Sequence, residues 1–225
     1  MYKYGRDSFC FHRLTPDSIY WLGFLYTDGS IQIGRNGKKP VVQLKLHDFD
    51  AVEAFRQFTK YEGAVETICE KKKINGVIKE YTEYQIRIRD NEMVNQLIDL
   101  GCTPQKTYNI DFPTFIPEHL MKNFILGVFD GDGSVFEIKG SAKIGIDITG
   151  CRTFLSGVHK TLQENKILGE KEHIYKTHSN SKEIARIRFG GAIQVMNFYH
   201  YIYNDLPTFY LKRKKDVFEK ILSRR

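Results

Sequence analysis

Asp28 and Asp132 are the residues whose types and spacing point to chemistry. Each closes an apolar run, Ile19-Tyr20-Trp21-Leu22-Gly23-Phe24-Leu25-Tyr26 in the first half of the chain and Leu120 to Phe129 in the second, and each is followed by a glycine. Both runs are of helical length. Thr15 can cap the first, Pro16 suits its first position and Asp17 its first turn, and Pro117-Glu118-His119 opens the second. Gly29 and Gly133 are placed as the left-handed residues that end a helix. Gly23 and Thr27 lie four apart on one run, Gly127 and Gly131 on the other, so each helix has one face small enough for a second backbone to approach. With those faces packed together, both C-terminal ends emerge side by side and Asp28 stands next to Asp132.

That placement is unfavourable unless something cationic joins it. A carboxylate at a helix C-terminus faces the negative end of the helix dipole, at a cost of about 0.3–1 kcal/mol. Two such carboxylates repel, which raises at least one pKa. A divalent cation removes both penalties, and carboxylates and backbone carbonyls are the hard oxygen ligands that magnesium prefers. One Asp-Gly pair alone is more simply a helix stop with a solvated Asp. Its repetition on two apolar helices favours a shared site. Asp130-Gly131-Asp132-Gly133-Ser134 does not fit a calcium loop, because the sixth position is Val135 rather than Gly and the twelfth Ser141 rather than Glu.

Two like helices need two like supports, and the chain supplies the same order of elements twice. After the first helix, Ile31 to Ile33 leads through the hairpin signal Asn36-Gly37 into Val42-Gln43-Leu44-Lys45-Leu46-His47, which alternates apolar and polar. A helix is expected over 51–58, a strand over 84–89 and a helix over 92–100. The second copy predicts strands over 143–149 and 185–189 and helices over 153–162 and 192–203, with a final basic helix over 211–222. Arg87-Ile88-Arg89 and Arg186-Ile187-Arg188 are the clearest echo outside the helix ends. The expectation is an α+β chain of two αββαββα repeats arranged as a pseudo-twofold dimer. Residues 1–102 form the N-terminal repeat, 103–116 a joint with Pro104, Lys106 and Pro113, and 117–225 the C-terminal repeat with its basic helix.

Composition sets looser bounds. A chain of 225 residues can bury a core without staples. Cys10, Cys69, Cys102 and Cys151 are scattered, which predicts free thiols in a reducing compartment. No apolar run approaches the roughly 18 residues of a membrane span, and the first residues lack an apolar leader stretch. An intracellular protein away from membranes is therefore expected, cytoplasmic or nucleoid-associated, with an organelle or a phage-infected host as the alternatives. The net charge of +7 is compatible with a polyanionic partner without establishing one. No HExxH motif and no Ser-His-Asp or Cys-His arrangement stands out.

The segments Trp21-Leu22-Gly23-Phe24-Leu25-Tyr26-Thr27-Asp28-Gly29 and Ile125-Leu126-Gly127-Val128-Phe129-Asp130-Gly131-Asp132-Gly133 resemble the paired motifs of LAGLIDADG homing endonucleases. The resemblance runs through both αββαββα units to the basic ending Tyr210-Leu211-Lys212-Arg213-Lys214. It implies a monomeric, site-specific double-stranded DNA endonuclease that uses Mg2+ or Mn2+ to hydrolyse one phosphodiester per strand at a long, non-palindromic site. Asp28 and Asp132 would bind the catalytic metals, with the backbone carbonyls of Thr27 and Gly131 assisting, and Ca2+ would support binding without cleavage. Tyr26 departs from the motif's usual first Asp, which Asp130 keeps. The family also places polar strand-end residues and a basic residue around the cut. Asp48 fits the first role, with Thr149-Gly150 as a weaker counterpart. Arg89 and Arg188 are the basic candidates, with Arg87 and Arg186 behind them.

On that resemblance the two sheets are curved and lie along the major groove. Their outward faces carry Gln32, Gln43, Lys45, His47, Arg87 and Arg89 in one repeat and Lys143, Asp147, Arg186 and Arg188 in the other. Gln can read adenine, and Arg or Lys can read guanine. Lys106, Arg213 and the runs Lys71-Lys72-Lys73, Lys212–Lys215 and Arg224-Arg225 suit phosphates, which position a duplex without reading it. The alternatives on the same fold are an RNA maturase and a non-cleaving DNA-binding regulator; retention of both Asp28 and Asp132 favours cleavage. An intein is not expected, since the ends lack the splicing residues.

Overall fold

The computed structural model describes residues 3–34, 39–74, 77–106, 110–137, 144–170, 174–176 and 183–223. The first repeat consists of α1 (Pro16–Thr27), β1 (Gly29–Gln32), β2 (Val41–Leu46), α2 (Phe49–Phe58), β3 (Glu66–Ile74), β4 (Val77–Arg89) and α3 (Asn91–Asp99). The second consists of α4 (Glu118–Asp132), β5 (Gly133–Glu137), β6 (Ile144–Cys151), α5 (Arg152–Glu164), β7 (Ile174–Lys176), β8 (Ile184–Gly190) and α6 (Ala192–Tyr203), followed by α7 (Lys212–Leu222). Both sheets are antiparallel and share one strand order, β1-β2-β4-β3 and β5-β6-β8-β7. The αββαββα pseudo-dimer expected from the sequence is the architecture observed. Asn36-Gly37, Lys143 and Arg224-Arg225 lie outside the described residues.

The start of α1 follows from its first residues. The Thr15 hydroxyl accepts from the Ser18 N–H at 3.1 Å and the Ser18 hydroxyl accepts from the Thr15 N–H at 2.8 Å, a reciprocal cap, with Pro16 fixing the first turn. The helix is then buried continuously from Ser18 to Tyr26, because its own sheet and α2 cover one side and α4 the other. Trp21 stacks on Phe209 with centroids 5.5 Å apart and packs against Phe55 and Phe58. Each large side chain buried in this way contributes about 1.5–3 kcal/mol.

α1 and α4 approach at their small residues. A Cβ added to Gly23 would stand 2.3 Å from the Phe124 carbonyl oxygen, and one on Gly127 2.1 Å from the Tyr20 oxygen. One on Gly131 would lie 1.9 Å from the Thr27 Oγ1. The glycines are thus demanded by the neighbouring backbone, and the two C-terminal ends emerge together.

How those ends terminate differs from expectation. Neither Gly29 nor Gly133 is left-handed. Gly133 has φ −90 and ψ 157, and each glycine is the first residue of the strand that follows its helix. The helices run straight into β1 and β5 with no intervening loop. Glycine is needed because a Cβ would strike the preceding turn: Leu25 Cα at 2.8 Å in one case, the Phe129 carbonyl oxygen at 2.5 Å in the other.

The strand register also corrects the repeat alignment. Gly29 pairs with Leu44, which pairs with Ile86; Gly133 pairs with Ile148, which pairs with Ile187. Arg87 therefore matches Arg188, Gln85 matches Arg186, and Arg89 matches Gly190. The Arg-Ile-Arg echo is real as text but offset by two residues in space. By the same register Thr149-Gly150 match Lys45-Leu46, and the position matching Asp48 is Arg152.

Candidate active site and nucleic-acid interface

Asp28 is the C-cap of α1 and Asp132 the last residue of α4. Both side chains are exposed at the mouth between the sheets. Crowding by surrounding protein nevertheless raises both pKa values. Asp132 reaches about 6, with desolvation the main cause and the like charge of Asp28 the second. Asp28 is raised by desolvation too, partly offset by Lys214 and Lys106. The two carboxylates therefore share one site and feel one another.

Beneath each carboxylate lies a lysine. Lys214 Nζ donates to the carbonyl oxygens of Phe129 (2.7 Å), Asp130 (2.7 Å), Gly131 (3.3 Å) and Gly133 (2.7 Å). Lys106 Nζ donates to the carbonyl oxygens of Thr27 (3.2 Å) and Gly29. The last carbonyls of a helix have no intrahelical donor and carry the negative end of the dipole, so an ammonium is held there by both effects. Burial lowers the pKa of each lysine, that of Lys214 to about 8. Lys106 was expected on phosphates and Lys214 within an exposed basic run; the structure puts both under the carboxylates. Both lysines follow the third helix of their repeat, and that matched position was the available signal.

The residue before the motif Gly tells the repeats apart. Asp130 is buried; one oxygen accepts from the Tyr20 hydroxyl (2.9 Å) and the Leu211 N–H (2.8 Å), while the other has no hydrogen-bond partner. Burial raises its pKa to about 6. Tyr26 stands at the matching position and donates to the Leu100 carbonyl at 2.7 Å. Each thereby ties its motif helix to the segment that leads toward the lysine. Neither points a ligand at the site.

Asp48 and Arg213 form a two-bonded ion pair, with Nε–Oδ1 at 2.8 Å and an Nη–Oδ2 distance of 2.7 Å. The guanidinium holds the Asp48 carboxyl below its ordinary value. Asp48 is near enough for its charge to add to the raised pKa of Asp28, and Arg213, expected on phosphate, is bonded to it. Arg89 pairs with Val41 at the strand end away from Gly29, so it does not supply the basic group at the carboxylates. Arg188 bonds Asp147 on the outer sheet face, with Nε–Oδ2 at 3.0 Å, and Arg186 stands 3.9 Å from the same carboxylate. Asp147 is thereby an ion partner within the sheet. The basic groups bonded to the two helix ends are Lys106 and Lys214.

The remaining sheet residues keep their outward placement. Lys45 pairs with Glu83 at 2.5 Å, His47 Nδ1 lies 2.8 Å from the Thr82 carbonyl oxygen, and Gln32, Gln43 and Arg87 lie on the same face. Lys71 pairs with Glu80 across β3 and β4 at 2.7 Å. Cys10, Cys69, Cys102 and Cys151 are free thiols. No described helix is long and apolar enough to cross a membrane.

Two exposed carboxylates with hard oxygen atoms fit a divalent cation. Among the described residues no third acidic, His or Cys side chain completes a group around them. Magnesium is commonly held by one or two carboxylates plus substrate phosphates and water, which suits this pair. In the structure the Thr27 and Gly131 carbonyls accept from the two lysines at 3.2 and 3.3 Å, and each carbonyl oxygen keeps a second lone pair.

Comparison with known proteins agrees on the fold. The I-LtrWI LAGLIDADG homing endonuclease, solved bound to target DNA, superposes with a TM-score of 0.57 at 11% identity over 92% of this chain and 90% of that one. The LAGLIDADG meganuclease I-AabMI, solved bound to uncleaved DNA, gives 0.56 at 12% identity over 94% and 90%. Full-length DUF199/WhiA from Thermatoga maritima gives 0.54 at 16% identity over 97% of this chain and 65% of that one. In sequence, 110 residues are 30% identical to the tRNA-splicing ligase RtcB of Pyrococcus furiosus, covering 44% of this chain and 11% of the length of that protein. No family model matches the sequence.

Proposed function

We propose, from the LAGLIDADG endonuclease fold that the chain carries, that it is a metal-dependent, site-specific endonuclease acting on double-stranded DNA. The observation that carries this reading is the pair of carboxylates at two packed helix ends, each above a lysine bonded to that helix end, between two polar sheets. A divalent cation at Asp28 and Asp132 would supply an activated water and neutralise charge on a scissile phosphate. The chain's own residues do the rest. Asp28 and Asp132 fix the ligand oxygens on rigid helix ends. Lys106 and Lys214 present positive charge beside the phosphate as negative charge builds on it. Asp48 and Arg213 brace the mouth from one side, and the sheets hold the duplex in register.

The direct test is to incubate the protein with magnesium and a randomised duplex library and sequence the cut ends. Recovery of one long, non-palindromic site supports the reading, and absence of cutting alongside specific binding to a folded RNA replaces it with the maturase alternative. Specific DNA binding should also weaken steeply with salt. With about six phosphate contacts, affinity falls on the order of a thousandfold between 50 and 200 mM salt. A titration series showing a flat response would remove the basic sheets from the account.

Lys106→Met and Lys214→Met should each lower single-turnover cleavage by about a hundredfold to a thousandfold, as expected for a preorganised charge at a reacting phosphate. Lys214→Met should melt lower as well, because four carbonyl oxygens lose their donor. Wild-type rates in both variants would mean that the lysines serve the helix ends alone.

A further inference from the structure

The outer face of the N-terminal sheet carries a continuous chain of side-chain amides. Gln32 on β1 donates from Nε2 to Gln43 Oε1 on β2 at 3.0 Å. Gln43 donates to Gln85 Oε1 on β4 at 2.9 Å, and Gln85 donates to Glu66 Oε2 on β3 at 3.0 Å. The chain follows the strand order across the whole sheet. Gln85 stands directly opposite Glu66, whereas the other two steps are diagonal, since Gln43 pairs with Ser30 and Arg87. A diagonal step spans about 7–8 Å between backbones, within reach of long side chains.

This chain has a direction, and one residue sets it. A carboxylate only accepts, whereas an amide donates from one end and accepts at the other. Facing Glu66, the Gln85 amide must turn its NH2 toward the carboxylate, which leaves its oxygen toward Gln43. Gln43 must then turn its NH2 toward Gln85, and its oxygen receives Gln32. With an amide in place of Glu66, the reversed chain makes as many bonds, and nothing selects one direction. We infer that Glu66 is a positioning residue for sequence recognition: through the buried Gln85 it orients the amides of Gln43 and Gln32, and so fixes where these two present a donor and an acceptor to a base edge.

Orientation matters because an amide reads adenine by donating to N7 and accepting from N6, a pattern that a flipped amide inverts. Each glutamine uses one N–H, and Gln43 and Gln85 one oxygen lone pair, within the chain, so the accessible Gln43 and Gln32 each retain a donor and an acceptor for the duplex. The device is confined to one half of the molecule. By register the matching positions in the other sheet are Phe136, Asp147, Arg186 and Tyr175, where Arg188 lies 5.3 Å over the Phe136 ring and bonds Asp147. One sheet thus offers neutral, oriented amides and the other a charged pair.

The inference rests on the DNA-binding reading, and the test separates the two. Duplexes from a randomised library are selected for binding without magnesium by the wild type, Glu66→Gln, Glu80→Gln and the double variant Glu66→Gln with Gln85→Glu. In Glu66→Gln, base preference should fall about tenfold at adjacent positions of one half-site and stay unchanged in the other half. Glu80→Gln removes the same charge from the same hairpin, away from the amide chain, and should keep the wild-type profile. The double variant places a carboxylate where Gln43 must donate to it, so preference at the base pairs under Gln43 and Gln32 should return. An unchanged profile in Glu66→Gln, the same loss in Glu80→Gln, or no recovery in the double variant would overturn the role of Glu66 alone. A wild type without sequence preference in either half would overturn the endonuclease reading along with it.

Discussion

Asp28→Asn and Asp132→Asn should each reduce double-strand cleavage by about a hundredfold to a thousandfold or more while specific binding is retained or tightened. Asparagine keeps the shape and removes one charge, so a cation loses an anionic ligand and the incoming phosphates meet less repulsion. A second readout does not depend on cutting. The Asp132 pKa is raised to about 6 from an ordinary value near 3.8. Between those values the folded state binds a proton that the unfolded state has released, so the metal-free protein loses stability as pH rises through this window. Asp132→Asn should abolish that loss and melt higher than the wild type at neutral pH without metal. Magnesium or calcium should stabilise the wild type at pH 7.5 and much less at pH 4.5, and the Asn variant less at either pH. Cleavage gels, mobility shifts and melting curves on the three proteins decide it. Full double-strand cutting by either variant would sink the assignment.

Gly127→Leu should cost about 4 kcal/mol or more, a large share of the 5–15 kcal/mol that holds a typical domain together. The clash is with backbone: even a Cβ would stand 2.1 Å from the Tyr20 carbonyl oxygen and 2.8 Å from the Phe24 nitrogen. Neither α1 nor α4 can yield, because α1 is buried from Ser18 to Tyr26 and its loss of register would unpack Trp21. Gly127→Ala should already be clearly destabilised. Gly150→Ala is the control, since a Cβ there meets Leu155 at an ordinary 3.4 Å. Urea unfolding of the three variants gives the comparison. An unchanged midpoint for Gly127→Leu would mean that the helices do not pack through this face.

The parts of this molecule that were legible in the sequence are those encoded locally. The cap at Thr15, the alternation through Val42 and Leu44, and the small residues at Gly23 and Gly127 each announce themselves within a few positions. The two carboxylates were found because their helix ends repeat. Lys214 was hidden because its four acceptors are backbone carbonyls far away in sequence, and in the text it is one basic residue among four. The Arg-Ile-Arg echo misled because register is set by pairing with Leu44 and Ile148, which a repeated tripeptide does not reveal. Gly29 and Gly133 were recognised as helix ends, but the reason lies in the turn behind them rather than in their dihedral angles.

The short stretch from the end of α6 into the first turn of α7 ties the halves into something less modular than two repeats suggest. Thr208 bonds Asp17 through its N–H (2.6 Å) and hydroxyl (2.8 Å), Phe209 covers Trp21, the Leu211 N–H holds Asp130, and Arg213 neutralises Asp48. Three of these four contacts complete the N-terminal repeat, although every one of the donating residues belongs to the C-terminal one. Shuffling half-molecules between proteins of this fold would leave the transplanted N-terminal half with an unbonded Asp17, an uncovered Trp21 and an unpaired Asp48. The unit of exchange is therefore the N-terminal repeat together with residues 208–213, a module that is discontinuous in the gene.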